Sequence, residues 1–222
     1  REPLFNRAVS GAYSPGSTIK PLVALAALAE KVVVRDSKIF SDGALEVPNR
    51  FNPESPSIFL DWRAHGWVDV VDALARSSNI YFYLAGGGLP SGVPFSDLAT
   101  GSFRAGGLGI ETLRAYWQKF RLGTKTGIDL LGETPGFLPA PEERAERTGS
   151  SWRLGDTYNV SIGQGDLLVS PIQLLSFIAS LGNGGVMYRP HLALDAEPEV
   201  VLEYQDMSEA ITIVQAGLRT AV

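Results

Sequence analysis

The chain has no cysteine in 222 residues, which excludes a disulfide framework and any thiolate metal site. Histidine is nearly as scarce, with only His65 and His191. An imidazole-rich metal centre therefore has little to draw on, and so does a Ser-His-Asp triad. No apolar run approaches the roughly eighteen residues that a membrane-crossing helix needs. Lys and Arg number 19 against 24 Asp and Glu, for a net charge of −5. No basic stripe forms either, and a nucleic-acid partner is not expected. Hydrophobic residues make up 45% of the chain and charged ones 19%. That is enough apolar material to close a core without staples, in one large domain or two small ones. The sequence opens on Arg1 rather than Met and closes in a helix-like run from Ser208 to Val222, so it reads as part of a longer domain.

The loop-like first sixteen residues, punctuated by Pro3, Gly11, Pro15 and Gly16, lead into a run rich in Ala and Leu from Ser17 to about Val34. Its residue types favour helix and it is apolar on nearly every face, which predicts a buried, central helix. Pro21 is tolerable only near the first turn, so the helix should start close to Ser17. Short strands and turns are expected over 38–67, with Asp42-Gly43 and Asn52-Pro53 as turn signals. Helical runs follow from Val68 to Arg76 and from Ile80 to Leu84, then a Gly-, Pro- and Ser-rich stretch, 86–107, that reads as a surface insertion. Ile110 to Phe120 is amphipathic, 123–141 is turn-rich and 145–155 is polar. Pro171 to Leu181 is an apolar helix ended by Asn183-Gly184-Gly185, and Val186–Leu192 and Glu199–Tyr204 are candidate strands.

Ser17-Thr18-Ile19-Lys20 places a serine and a lysine three residues apart, a spacing that puts both on one helix face. The helix N-terminus favours a developing alkoxide. Burial disfavours the lysine ammonium, so Lys20 can serve as a base. Serine then becomes a nucleophile without histidine. From the spacing alone, Ser17 as a helix N-cap and Lys20 as a snorkelling surface lysine remain open. Ser77-Ser78-Asn79, between two helical runs, would present a hydroxyl beside an amide; a polar inter-helix turn is the plainer alternative.

A family resemblance joins these pieces. Leu4-Phe5-Asn6-Arg7-Ala8 and Tyr13-Ser14-Pro15-Gly16-Ser17-Thr18-Ile19-Lys20-Pro21 resemble the active-site entry of class B penicillin-binding proteins. Gly66-Trp67-Val68-Asp69-Val70 with Ser77-Ser78-Asn79-Ile80-Tyr81-Phe82-Tyr83 resembles their second motif in its context. Further landmarks follow in the family's order: Thr126 to Glu133, Ser161-Ile162-Gly163-Gln164-Gly165-Asp166 with Ser170-Pro171, and Asn183-Gly184-Gly185 with Arg189-Pro190-His191. The pattern is most similar to the elongation type.

The resemblance implies an α/β (α+β) penicillin-recognising serine transpeptidase/beta-lactamase-like fold. The helical lobe would dominate, because part of the central sheet falls outside residues 1–222. It implies D,D-transpeptidation of peptidoglycan. Ser17 would form an acyl-enzyme with the D-Ala-D-Ala stem peptide, Lys20 would be the base, Ser77 would pass a proton to the leaving amine, and Asn79 would hold the substrate backbone. The Ser17 N–H would be half of an oxyanion hole. Implied partners are peptidoglycan stem peptides, beta-lactam antibiotics and a membrane glycosyltransferase of the elongation machinery. Neither cofactor nor metal is implied. Location would be the extracytoplasmic, periplasmic face of the membrane, with the anchor outside this chain. A beta-lactamase or D,D-carboxypeptidase on the same scaffold is the hydrolytic alternative, and a beta-lactam sensor or scaffold the non-catalytic one.

The family's third motif is Lys-Thr-Gly on a strand. Lys125-Thr126-Gly127 has that composition, but it stands in a turn-rich loop and precedes Gly163-Gln164-Gly165 rather than following it. It is expected to be a loop landmark, with the catalytic counterpart beyond Val222. His65 and His191 are expected to be structural, and Trp62, Trp67, Trp117 and Trp152 to be core residues. Asp129 and Glu133 are expected to cap turns or face solvent, and Asn159 to Gln164 to shape the cleft.

Overall fold

The computed structural model describes residues 4–49, 52 and 54–221. Pro3, Pro53 and Val222, which carry parts of the loop, turn and helix expectations, lie outside the described residues. Helices dominate. A turn of 3-10 helix at Gly16–Ile19 runs straight into α1 (Lys20–Ala29). Strands β1 (Lys38–Ser41), β2 (Ala44–Val47), β3 (Ser57–Leu60) and β4 (Gly66–Val68) come next. Then come α2 (Val70–Ala75), α3 (Asn79–Gly87), α4 (Phe95–Leu98), β5 (Ala99–Thr100) and α5 (Gly109–Lys119). The rest is α6 (Pro141–Thr148), α7 (Leu154–Ser161), α8 (Pro171–Gly182), β6 (Val186–Tyr188), β7 (Val200–Glu203) and α9 (Ser208–Thr220).

Helix α1 is the hub. It packs against α2, α3, α5 and α9, and its residues from Lys20 to Ala27 are all buried. An Ala- and Leu-rich helix with no polar face can be stable only in such a place, since burying each Leu or Val contributes roughly 1.5–3 kcal/mol. The helix is shorter than the expected run to Val34. Pro21 lacks an N–H and sits at the N-terminal turn, and Lys31 adopts φ 52°, which stops the helix. Val32 and Val33 nevertheless stay in the core.

Every strand pair among the described residues is antiparallel. β1 lies between β4 and β5, with Ile39 opposite Val68 on one side and Ala99 on the other. Ile39, Val68 and Ala99 are all buried, so that face of the small sheet closes the core. β2 and β3 form a separate hairpin and so do β6 and β7. The segment 86–107 is therefore more than a surface insertion. It supplies β5, buries Ala99 and Phe103, and is tied back by Leu89 N–H to Ala105 O and by Arg104 N–H to Val32 O. Its Gly and Pro content marks tight turns between anchored points. The polar stretch 145–155 also proves more ordered than its composition suggests. Pro141 starts α6, Gly149 ends it in the left-handed region, and α7 begins at Leu154. α6 buries none of its residues. It is held instead by Arg144 to Asp156 at 3.1 Å and by Arg147 to Asp166 at 2.8 Å.

Of the four tryptophans, Trp117 is in the core and Trp152 packs against it. Trp62 and Trp67 are exposed, contrary to expectation. Trp67 stands on the solvent face of β4 beside Phe40, because the strand's period of two sends Val68 inward. Trp62 is held outside by Arg63 stacked on its ring and by its indole N–H donating to Arg76 O.

Candidate active site

The 3-10 turn presents the Ser17 hydroxyl outward, while Lys20, one turn on, is buried with 1% of its surface exposed. Gly16 sets the turn. It has φ 57°, and its N–H donates to Gly163 O at 2.9 Å. A Cβ on Gly163 would overlap the Gly16 carbonyl and amide, so the two backbones meet with no room for a side chain. The loop after α7 thus braces the turn that carries Ser17.

Between α2 and α3 the chain turns through Ser77, a non-glycine residue at φ 53°. Such a backbone costs on the order of 1–3 kcal/mol and persists only where its surroundings enforce it. The turn sends both the carbonyl and the hydroxyl of Ser77 to Lys20. Lys20 Nζ donates to Ser77 O at 2.7 Å, to Ser77 Oγ at 3.1 Å and to Asn79 Oδ1 at 2.7 Å. The Ser77 and Ser17 hydroxyls are 3.0 Å apart. The four residues singled out from the sequence are therefore gathered at one point. Ser17 and Lys20 share a helix face as expected, but their link runs through Ser77 Oγ rather than by a hydrogen bond of their own.

Burial lowers the Lys20 amine from 10.5 to about 8, against an opposing pull from the Asp61 carboxylate. A three-donor ammonium is matched by the three acceptors. The neutral amine keeps two donors for Ser77 O and Asn79 Oδ1, and its lone pair is free to accept the Ser77 hydroxyl. The cluster can thus hold Lys20 in either protonation state, as a group that both takes and returns a proton must be held.

Lys125, Thr126 and Gly127 lie in irregular backbone, not in a strand. The Thr126 hydroxyl and the N–H groups of Thr126 and Gly127 all donate to the Glu133 carboxylate. This loop is bound to itself, and Glu133, buried at 8% exposure, is its clamp rather than a solvated residue. Asp129 accepts from the N–H groups of Leu192 and Ala193, which hold its carboxyl below the usual range. A cleft of about 950 Å³ runs between the β2–β3 hairpin and α7, lined by Phe59, Arg153 and Asn159 among others. Neither Ser17 nor Lys20 lines it. Sequence reasoning missed Asp61, whose carboxylate binds the N-terminus of α3. The usable signal was an acidic residue just after a strand, which is too common to single out.

The penicillin binding protein transpeptidase domain family matches residues 1–222. The peptidoglycan D,D-transpeptidase MrdA of Haemophilus influenzae is 34% identical over 206 residues, 92% of this chain and 28% of that protein. Penicillin-binding protein 2 of Pseudomonas aeruginosa, in complex with WCK 5153, superposes with TM-score 0.74 at 32% identity, covering 97% of this chain and 46% of that one. The complex between penicillin-binding protein 2 and MreC from Helicobacter pylori gives TM-score 0.78 at 26% identity, covering 98% and 36%. The chain belongs to the penicillin-binding protein transpeptidase-domain family, and its relatives are of the elongation type. It spans less than half the length of the relatives it matches.

Proposed function

We propose that this chain carries the acylation half of a peptidoglycan D,D-transpeptidase site, with Ser17 as nucleophile. The reading rests on one observation above the others: the hydrogen-bonded series Lys20 Nζ, Ser77 Oγ, Ser17 Oγ, anchored on a buried amine. With Lys20 neutral, Ser17 Oγ attacks the carbonyl between the two terminal D-alanines of a stem peptide. Its proton moves to Ser77 as the Ser77 proton moves to Lys20. The carbonyl oxygen takes the negative charge, and the Ser17 N–H, in a first turn whose amides lack partners further back in the helix, donates to it. When the tetrahedral centre collapses, the C–N bond breaks. Lys20 returns the proton through Ser77 to the leaving D-alanine amine, and an ester on Ser17 remains. The amine of a second stem peptide then attacks that ester and forms the cross-link. Asn79, whose Oδ1 orients Lys20 and whose Nδ2 donates to Leu60 O at 3.2 Å, holds the base; the family resemblance also gives it the substrate backbone.

Beta-lactams mimic the D-Ala-D-Ala end and would leave a long-lived ester on Ser17. A location at the extracytoplasmic membrane face, with a glycosyltransferase or an MreC-like protein as partner, rests on family membership and on the neighbouring complex. Among the described residues no helix is long and apolar enough to cross a membrane. Intact mass of the full-length protein after incubation with a penicillin tests the reading. A stable one-drug adduct that disappears in Ser17→Ala supports it. Rapid turnover of the drug without an adduct would turn the reading to a hydrolase, and no reaction at all would refute catalysis by Ser17.

A further inference from the structure

We propose that Asp61 is the positioning residue of this site, fixing from below the Ser77–Asn79 turn that holds Lys20. The proposal deepens the function above and rests on Lys20 being the base. Asp61 follows β3, and its side chain is fully shielded from solvent. One carboxylate oxygen accepts four donors: Ser78 Oγ at 2.8 Å, Asn79 N–H at 2.8 Å, Ile80 N–H at 3.1 Å and Ser41 Oγ at 3.1 Å. The other accepts from Trp62 N–H at 2.9 Å. An α-helix leaves its first N–H groups without partners, and a carboxylate there is favoured by both hydrogen bonding and the helix dipole. For α3 those groups belong to Asn79 and Ile80. The residues that touch Lys20 are therefore pinned by an acid that reaches them from a different part of the chain.

The consequence is geometric first. Ser77 holds a costly left-handed backbone, and something must oppose its relaxation. Ser78, the N-cap of α3, has its hydroxyl committed to Asp61, so the residue after the strained one cannot swing away. Without Asp61, two buried N–H groups and two buried hydroxyls lose their acceptor. Relaxation of the turn would then move Ser77 Oγ from its place between Ser17 and Lys20. The second consequence is electrostatic. Burial pushes the Asp61 carboxyl up, but the N–H groups of Asn79, Ile80 and Trp62 and the Ser78 hydroxyl outweigh it and keep the carboxyl below its usual range. It therefore stays ionised and raises the proton affinity of Lys20. The other titratable groups around it are His65, whose Nε2 is 3.6 Å away, and Tyr83 on α3, whose hydroxyl donates to Leu60 O. Arg76, at the end of α2, reaches the His65 carbonyl at 3.4 Å.

The test is the kinetics of Ser17 acylation by a fluorescent penicillin on the full-length protein, resolved into drug binding and the acylation step across pH. Asp61→Ala should slow the acylation step about a hundredfold, the cost of a displacement near 1 Å at a reacting centre. Drug affinity should change much less, since the loss falls in the transition state. Asp61→Asn keeps the volume and most acceptor contacts and serves where the alanine variant does not fold. It should move the rising limb of the pH profile to lower pH, which a purely structural role would not do. A folded Asp61→Asn protein with wild-type acylation and an unmoved profile overturns the proposal. Absence of acylation in the wild type would instead refute the Ser17 and Lys20 assignment itself, and the role of Asp61 with it.

Discussion

Lys20 offers the sharpest test, because two unrelated measurements must report the same titration. Its amine is lowered by burial to about 8 from an ordinary 10.5. In the unfolded chain the amine has its ordinary affinity, so between those values the unfolded state binds more protons than the native one. Stability therefore rises with pH across that window. Below about pH 8 both states are protonated, and the native state carries the whole penalty of a buried ammonium. Above about 10.5 both are neutral and the penalty is gone. At about 1.4 kcal/mol per pH unit, the gap amounts to about 3 kcal/mol. Lys20→Met keeps the volume and removes the titration. The stability difference between wild type and Lys20→Met, from urea unfolding at pH 7 to 10.5, should move in favour of wild type by about that amount as pH rises. Taking the difference cancels the titration of the other groups. The acylation rate of wild type by a penicillin should climb with pH and level off above about 8, while Lys20→Met stays slow throughout. A pH-independent stability difference, or an acylation rate flat between pH 6 and 9, would refute the argument that Lys20 is a desolvated base.

Gly163→Ala should slow acylation at least tenfold and lower the melting temperature, because the added Cβ collides with the Gly16 backbone and the residue already sits at φ 74°; penicillin labelling and a thermal melt read both effects. Lys125→Ala should leave the acylation rate within about twofold, since the Lys125 loop is bound through Glu133 and not to the Ser17 cluster, and surface substitutions of this kind rarely matter; a larger loss in labelling would make that lysine catalytic after all.

The residue types of the candidate site and their order along the chain were legible because short motifs encode them. Ser17 and Lys20 share a helix face by spacing alone, and the apolar composition of α1 requires it to be buried. Burial in turn is what lowers the amine. The strands over 38–67 and the helices α5 and α8 follow from periodicity and turn residues. Where local sequence misled, a partner distant in sequence decided. Segment 86–107 looked like an insertion, yet the free edge of β1 paired with its Ala99–Thr100. Polar 145–155 acquired helices because Arg144 and Arg147 found Asp156 and Asp166. Trp62 and Trp67 carry the composition of core residues but stand outside, where the strand register and Arg63 put them.

The sequence by itself determined which residue types stand together at the candidate site and that helix α1 lies at the centre, because spacing and hydrophobicity are local properties. The tertiary structure alone decided how the groups connect. Ser77 stands between Ser17 and Lys20 only because its backbone turns left-handed, and Gly163 braces Gly16 from far along the chain. Asp61 reaches the start of α3 across a gap no periodicity describes. Hydrogen bonds between remote segments depend on how the core brings them together, and that is a property of the packed molecule rather than of any stretch of its chain.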